Sequence, residues 1–269
     1  MLVAEDNTVN QLVARRMLER HGCLTDVAAT GKAAVEAARD GAYDLILMDC
    51  EMPEMDGFDA ARTIREAERG TSRRVPIVAI TANTLRGDRE RCLAAGMDDY
   101  LSKPVTTDAL DAMVVRWLGA ARPAPAVVAA APAPPAADVL DASAIAELEA
   151  GGGPELRDEL IALFNEDAPS ALEKIRAAAA AGDAAELGRV AHALKGSSAT
   201  IGARLMSATC ASLEAAGRAG QIADQGPAIV ELERQMSDVL QALAALVANG
   251  SADADATIPA AAGDGGAVR

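Results

Sequence analysis

The stretch DLILMDCEMPEMDGFDAARTIREAERG, Asp44 to Gly70, holds two structural signals in succession. Leu45 to Met48 is a continuous apolar run of strand length. From Gly57 onward apolar residues recur at three- and four-residue spacing, the period of an amphipathic helix. The alternation repeats on both sides: MLVA (1–4), LTDVA (24–28), PIVAI (76–80) and DYL (99–101) are further short runs, with helical patterns such as VNQLVARRMLERHG between them. Strands alternating with helices predict an α/β fold over residues 1–119, a doubly wound five-stranded parallel sheet with helices on both faces. In such sheets ligands collect beyond the carboxyl ends of the strands.

Chemistry-bearing residues fall at those ends. Glu5 and Asp6 follow the first run and Asp49 the third, so a parallel sheet would gather three carboxylates at one edge. Their mutual repulsion raises proton affinity unless a cation neutralises them, and an all-oxygen set suits Mg²⁺. Acidic residues also simply end strands and cap helices, and the three alone leave both readings open. Thr81 after PIVAI and Lys103 after DYLS add a hydroxyl and an ammonium at the same edge. Together they form a surrounding that an incoming phosphoryl group needs, with Asp49 able to attack phosphorus.

The segments VAEDN, LILMDCEMPEMDG, IVAITAN and DDYLSKP resemble the signature segments of response-regulator receiver domains, over essentially all of residues 1–119. The resemblance implies a flavodoxin-like fold, Asp49 as phosphoacceptor, and Glu5 and Asp6 as Mg²⁺ ligands with the backbone carbonyl of Glu51. It further implies Thr81 as the hydroxyl that swings toward the phosphoryl group, Lys103 as its cation and Tyr100 as a switch aromatic. Receiver domains usually carry a few residues before the first strand, whereas here it begins at Met1, and a piece of something longer is expected.

Residues 120–137, AARPAPAVVAAAPAPPAA, contain five prolines, which fix φ and remove donors. A semi-rigid linker is predicted, reaching up to about 3.1 Å per residue. Residues 138–248 lack a strand signal. Leu156 to Ile175, Leu187 to Ile201, Leu205 to Leu213 and Ile229 to Leu246 carry helical apolar spacing between glycine-containing turns, predicting an antiparallel four-helix bundle. The remainder, 249–269, has no periodicity and is expected to be disordered.

The second helix contains VAHALKGSSATIGA, Val190 to Ala203, with a single histidine. At 100° per residue His192 lies about 140° or more from the leading residue of the apolar stripe, so its imidazole is expected to point away from the bundle core. Gly188, Gly196 and Ala199 would leave that face open to another protein, and Lys195 could steady phosphoryl oxygens. A neutral imidazole is a competent nucleophile near pH 7. AHALKGSS resembles the H-x-x-K-G-(S/A) motif of histidine-phosphotransfer (HPt) domains. The resemblance covers about 140–248 and implies His192 as the phosphorylated residue, with Lys195 and Gly196 in support.

Composition limits the partners. With 40 acidic and 25 basic residues the net charge is −15, which repels a polyphosphate backbone and excludes a nucleic-acid role. No apolar run approaches the roughly 18–20 residues of a membrane span, so no membrane contact is expected. Cys23, Cys50, Cys92 and Cys210 are scattered, as in a reducing cytoplasm. Gly31-Lys32 fails as a P-loop, because Asp26 replaces its first glycine and Ala33 its Ser/Thr. His21, near a helix end, is read as structural, Cys50 as strand-end packing, and Asp98-Asp99 as a solvated turn.

These readings combine into a phosphorelay protein: Asp49 receives a phosphoryl group from a sensor histidine kinase, and His192 exchanges it with the aspartate of this or a downstream response-regulator receiver. Nothing resembles an ATP-binding kinase domain; in an alternative reading the chain is the carboxy-terminal fragment of a hybrid sensor histidine kinase, and enzymatic activity would then belong to that longer protein. A phosphorylation-switched adaptor, in which His192 transfers nothing, is a second alternative.

Overall fold

The computed structural model describes residues 1–81, 86–119 and 139–255. Strands β1 (Leu2–Ala4), β2 (Asp26–Ala28), β3 (Ile46–Asp49), β4 (Ile77–Thr81) and β5 (Asp99–Ser102) form one parallel sheet in the order β2-β1-β3-β4-β5. Between and after them run α1 (Thr8–Glu19), α2 (Gly31–Asp40), α3 (Gly57–Glu68), α4 (Arg86–Ala94) and α5 (Thr107–Leu118). Side chains of Asn7, Thr30, Asp56 and Thr106 each accept a backbone N–H in the first turn of α1, α2, α3 and α5, satisfying donors that a helix start leaves free. The strand order reverses between β1 and β3, the switch point at which a doubly wound sheet opens a crevice. Pairing of Ala4 with Met48 sets Glu5 and Asp49 side by side at its rim.

The second half is helical: α6 (Ala142–Ala181), α7 (Ala184–Thr200), α8 (Arg204–Arg218) and α9 (Gly226–Asp255). The α6 helix is bent at Gly153, whose φ of +79° is a left-handed conformation that glycine adopts without strain. The α7–α8 pair approaches closely at Gly188 and Gly217: a Cβ at 217 would lie 2.5 Å from the Gly188 nitrogen. The α9 helix runs on to Asp255, so residues 249–255, expected as disordered tail, are helical. Past its apolar stripe the helix continues because each added residue gains a backbone hydrogen bond without a new nucleus. The expected linker and residues 256–269 lie outside the described residues.

Apolar side chains gather in three cores. One lies between the sheet and α2 and α3, with Ile46, Met48, Ile64 and Ile77 buried in it. Another fills the bundle around Phe164, Ile175, Leu187, Leu194 and Leu213. The third belongs to both halves: Val13, Met17 and Leu18 of α1 and Leu110 and Met113 of α5 pack with Ile145, Leu148, Leu156 and Leu160 of α6. Each fully buried aliphatic side chain there contributes about 1.5–3 kcal/mol relative to exposure. The shared core sets the two halves in one relative position, and with it the site between them.

Candidate functional site

Asp49 ends β3 and is almost wholly buried, as is Glu5 one step past β1. Carboxylate oxygens of Glu5, Asp6 and Asp49 all lie within 4.8 Å of one another. Lys103 reaches into the cluster, its Nζ 2.7 Å from Asp49 Oδ2 and 2.9 Å from Glu5 Oε2. The Glu51 backbone N–H donates to Asp49 Oδ1 at 3.2 Å. Gly57 permits the loop that follows: a Cβ there would fall 2.0 Å from the Asp49 carbonyl oxygen. Burial, then the neighbouring Glu5 charge, push Asp49 up to about 7 against the pull of Lys103, and the same two causes raise Asp6. For Lys103 burial works against the charge, but Asp49 and Glu5 outweigh it and its pKa rises. An all-oxygen donor set whose own repulsion raises its proton affinity fits a hard divalent cation.

Thr81, at the end of β4, lines a cleft of about 800 Å³ whose other walls include Asp6, Glu51, His192, Lys195 and Arg218. The cleft lies between the two halves of the chain. His192 Nδ1 is 2.8 Å from Glu214 Oε1 on α8 and 2.9 Å from Glu51 Oε2, which belongs to the sheet domain. Lys195 Nζ sits 2.6 Å from Glu214 Oε2 and 3.5 Å from His192 Nδ1. Arg218 pairs with both carboxylates, at 2.6 Å to Glu214 and directly with Glu51. Burial disfavours the imidazolium, yet the bonds from Glu214 and Glu51 override it and hold His192 up to about 9. Glu214 shows the converse: burial opposes its charge, and His192 and Lys195 carry it down to about 2. Both carboxylates address Nδ1, and Nε2 takes no hydrogen bond among the described residues.

Residues 1–115 match the response regulator receiver domain family and residues 159–245 the Hpt domain family. The chain is a receiver domain followed by an Hpt domain. The aerobic respiration control sensor protein ArcB of Escherichia coli (strain K12) is 33% identical over 204 residues, 76% of this chain and 26% of ArcB. The sensor protein GacS of Pseudomonas syringae pv. syringae is 43% identical over 129 residues, 46% of this chain and 14% of GacS. Among solved structures, the receiver domain of a sensor histidine kinase from Pseudomonas aeruginosa is 49% identical, covering 44% of this chain and 95% of that one, with a TM-score of 0.40. The chain spans about a quarter or less of the length of these curated relatives. Receiver and Hpt domains joined in this order, in relatives named as sensor proteins, belong to two-component phosphorelay signalling.

The receiver meets the Hpt domain through α1. Asn7 Nδ2 donates to the Ala193 carbonyl at 2.9 Å and to Ser197 Oγ at 2.7 Å, while Asn7 Oδ1 caps α1. Thr200 Oγ1 donates to Asn10 Oδ1 at 3.1 Å, and Asn10 Nδ2 donates to Glu5 Oε1 at 3.0 Å. Asn10 therefore joins the receiver's acid cluster to the Hpt helix. A Cβ at Gly196 would stand 3.2 Å from Asn10 Nδ2, so the glycine allows this approach. Thr8 donates to Asp167, and Arg16 pairs with Glu159 at 2.7 Å.

Several residues stand in surroundings that the sequence did not show. His192 does leave the bundle core, but the receiver covers it: its side chain is 14% exposed. It is also mainly protonated near pH 7 rather than neutral, because two carboxylates hold it. Gly188 is buried against Gly217 and belongs to the α7–α8 packing, not to an open face. Tyr100 is exposed on β5 and is not among the residues lining the cleft. Asp98 is no solvated turn residue: Arg65 bonds it at 2.6 Å and the Ile77 N–H at 2.9 Å, which ties α3 to the start of β4. His21 bonds Asp111 at 2.6 Å, a structural contact, and Cys50 is buried with its sulfur 4.0 Å from that of Cys92.

Sequence reasoning missed Asn7, Asn10, Glu214, Arg218 and the side-chain role of Glu51. For Glu214 a signal existed: it stands in the helical phase of Cys210 and Gly217, an acid at a core-facing position.

Proposed function

We propose that the chain is a two-station phosphoryl carrier. Asp49 accepts a phosphoryl group from the phosphohistidine of a sensor histidine kinase, and His192 exchanges it with a receiver aspartate, this chain's own or that of a downstream response regulator. The observation that carries this reading is the cleft between the two stations, walled by Asp6, Glu51 and Thr81 on one side and His192 and Lys195 on the other. Glu5, Asp6, Asp49 and the Glu51 carbonyl would hold Mg²⁺, which when bound neutralises charge on the phosphoryl oxygens. Lys103, touching Asp49, supplies a fixed positive charge at the acceptor, and Thr81 a hydroxyl donor. Tyr100 is assigned the switch role, exposed where a partner can read it.

In the transfer to His192 the imidazolium first releases its Nε2 proton to water in the cleft. The Nε2 lone pair then attacks phosphorus, the P–O bond to Asp49 breaks, and its electron pair returns to the carboxylate. Nδ1 keeps its proton, and the new positive charge on the ring is met by Glu214. Lys195 stands by for the phosphoryl oxygens and Gly196 lets the receiver approach. Among the described residues no helix is long and apolar enough to cross a membrane. Labelling with acetyl phosphate tests the proposal. Wild type should yield both an acyl phosphate and an acid-labile, alkali-stable phosphohistidine, and His192→Gln only the first. Phosphohistidine persisting in His192→Gln would sink the assignment.

A further inference from the structure

We infer that residues 142–152 are an intramolecular clamp that seats the receiver on α7, so that the phosphoryl group passes between Asp49 and His192 of the same chain. The inference rests on the phosphotransfer just proposed. It adds the identity of the partner, which neither family match addresses, because these residues lie outside both matched segments.

The segment is anchored to the Hpt domain at its start. The Asp141 N–H donates to the Gly202 carbonyl at 2.9 Å, the Asp141 side chain caps the helix, and its carboxylate pairs with Arg204. The first and last of these fix it to the α7–α8 turn. Along its length the segment faces the receiver instead. Ile145 and Leu148 are buried in the core built by α1 and α5. Gly151 lies against the receiver: a Cβ there would meet Met17 Cε at 3.0 Å and Thr107 Oγ1 at 3.1 Å. Arg20 donates to the Ala150 carbonyl. The bend at Gly153 then returns the chain along the same receiver core through Leu156 and Leu160, before Phe164 enters the bundle.

Polar contacts complete the clamp. Asn7 to Ala193 and Ser197, and Asn10 to Thr200, fix where α7 stands along α1, over the two turns that follow His192. The apolar packing of the segment and the amide bonds of Asn7 and Asn10 thus together hold the receiver against α7. Because both stations belong to one chain, their encounter is unimolecular, with an effective concentration in the millimolar range typical of short tethers. The transfer needs no further reactant: the P–O bond to Asp49 breaks as the P–N bond to His192 forms.

The test uses the full chain, labelled at Asp49 with acetyl phosphate and freed of excess reagent. Formation of phosphohistidine should be first order and unchanged across an about hundredfold dilution. An equimolar mixture of Asp49→Asn and His192→Gln chains should transfer about 10²–10⁴-fold more slowly at micromolar concentration. Leu148→Asp, and separately Gly151→Leu to guard against misfolding of the first, should make the rate concentration-dependent while Asp49 labelling is kept. A wild-type rate proportional to concentration, or a mixture as fast as wild type, would overturn the clamp alone. Complete absence of phosphohistidine in wild type would overturn the underlying phosphotransfer together with it.

Discussion

Asp49 is buried at the sheet edge and His192 lines the cleft between the two halves, and they are prepared in different ways. The Asp49 pocket is assembled by a single sheet: Glu5, Asp49, Thr81 and Lys103 arrive at one edge because parallel strands end there together. The surroundings of His192 are assembled from two domains, with Glu214 and Arg218 from the Hpt bundle and Glu51 from the receiver. Electrostatics follow the same division. In the first, three carboxylates face one buried lysine and proton affinity rises; in the second, alternating charges hold the histidine as a cation. A pocket with excess negative charge is suited to receive a cation and a phosphoryl group, whereas a balanced chain of charges orients a nucleophile.

The comparison can be broken most directly at Asp49. Asp49→Asn is expected to abolish acetyl-phosphate labelling at both stations, while His192→Gln leaves the first station working; quantifying the two phosphorylated species decides this. Next in size is Lys103→Met, which strips the only cation contacting Glu5 and Asp49 among the described residues. Removing one partner of a buried charge set costs about 3–5 kcal/mol, to be read from urea unfolding at neutral pH without added Mg²⁺, and Mg²⁺ should recover part of the loss.

Smaller effects test the Hpt side. Gly217→Ala drives a methyl group to 2.6 Å from the Gly188 Cα and 2.7 Å from the Ala184 carbonyl, so a loss of about 1–3 kcal/mol is expected. Gly188→Ala meets nothing nearer than 3.5 Å and should gain up to about 1 kcal/mol from helix propensity. Thermal melts of the two variants should shift in opposite directions. The last prediction concerns pH. The His192 value is raised from 6.5 to about 9, so its pairing stabilises fully below about 6.5 and is lost as pH rises through about 9. Glu214→Gln should lower the imidazole midpoint in an NMR titration and flatten the stability loss over that window. An unmoved midpoint would mean that Glu214 does not hold the ring.

The two regions were also unequally legible. The receiver half could be read because each strand is a short apolar run, and the residue after each run is carried to the same edge whatever the helices do in detail. Even so, Asp98 escaped: an acid beside another acid reads as a solvated turn until Arg65, thirty-three positions earlier, is seen to fold over it. For His192 the helical phase correctly moved it off the bundle core. Phase cannot say what occupies the other side, and there the receiver covers it. Gly188 and Gly196 look alike in sequence, two small residues flanking the histidine, yet one is consumed by α8 and the other by α1. A missing side chain permits a close neighbour without naming it.

What the sequence alone determined was the pair of folds and the carboxylate edge, since both depend on local period and on residues at element ends. The meeting of the stations was decided only by tertiary structure. The burial of Ile145 and Leu148 against α1 and the amide bonds of Asn7 and Asn10 are contacts between segments more than a hundred residues apart, and the bend at Gly153 allows them. Such contacts leave no periodic signature, because each depends on shape and charge matching across two surfaces.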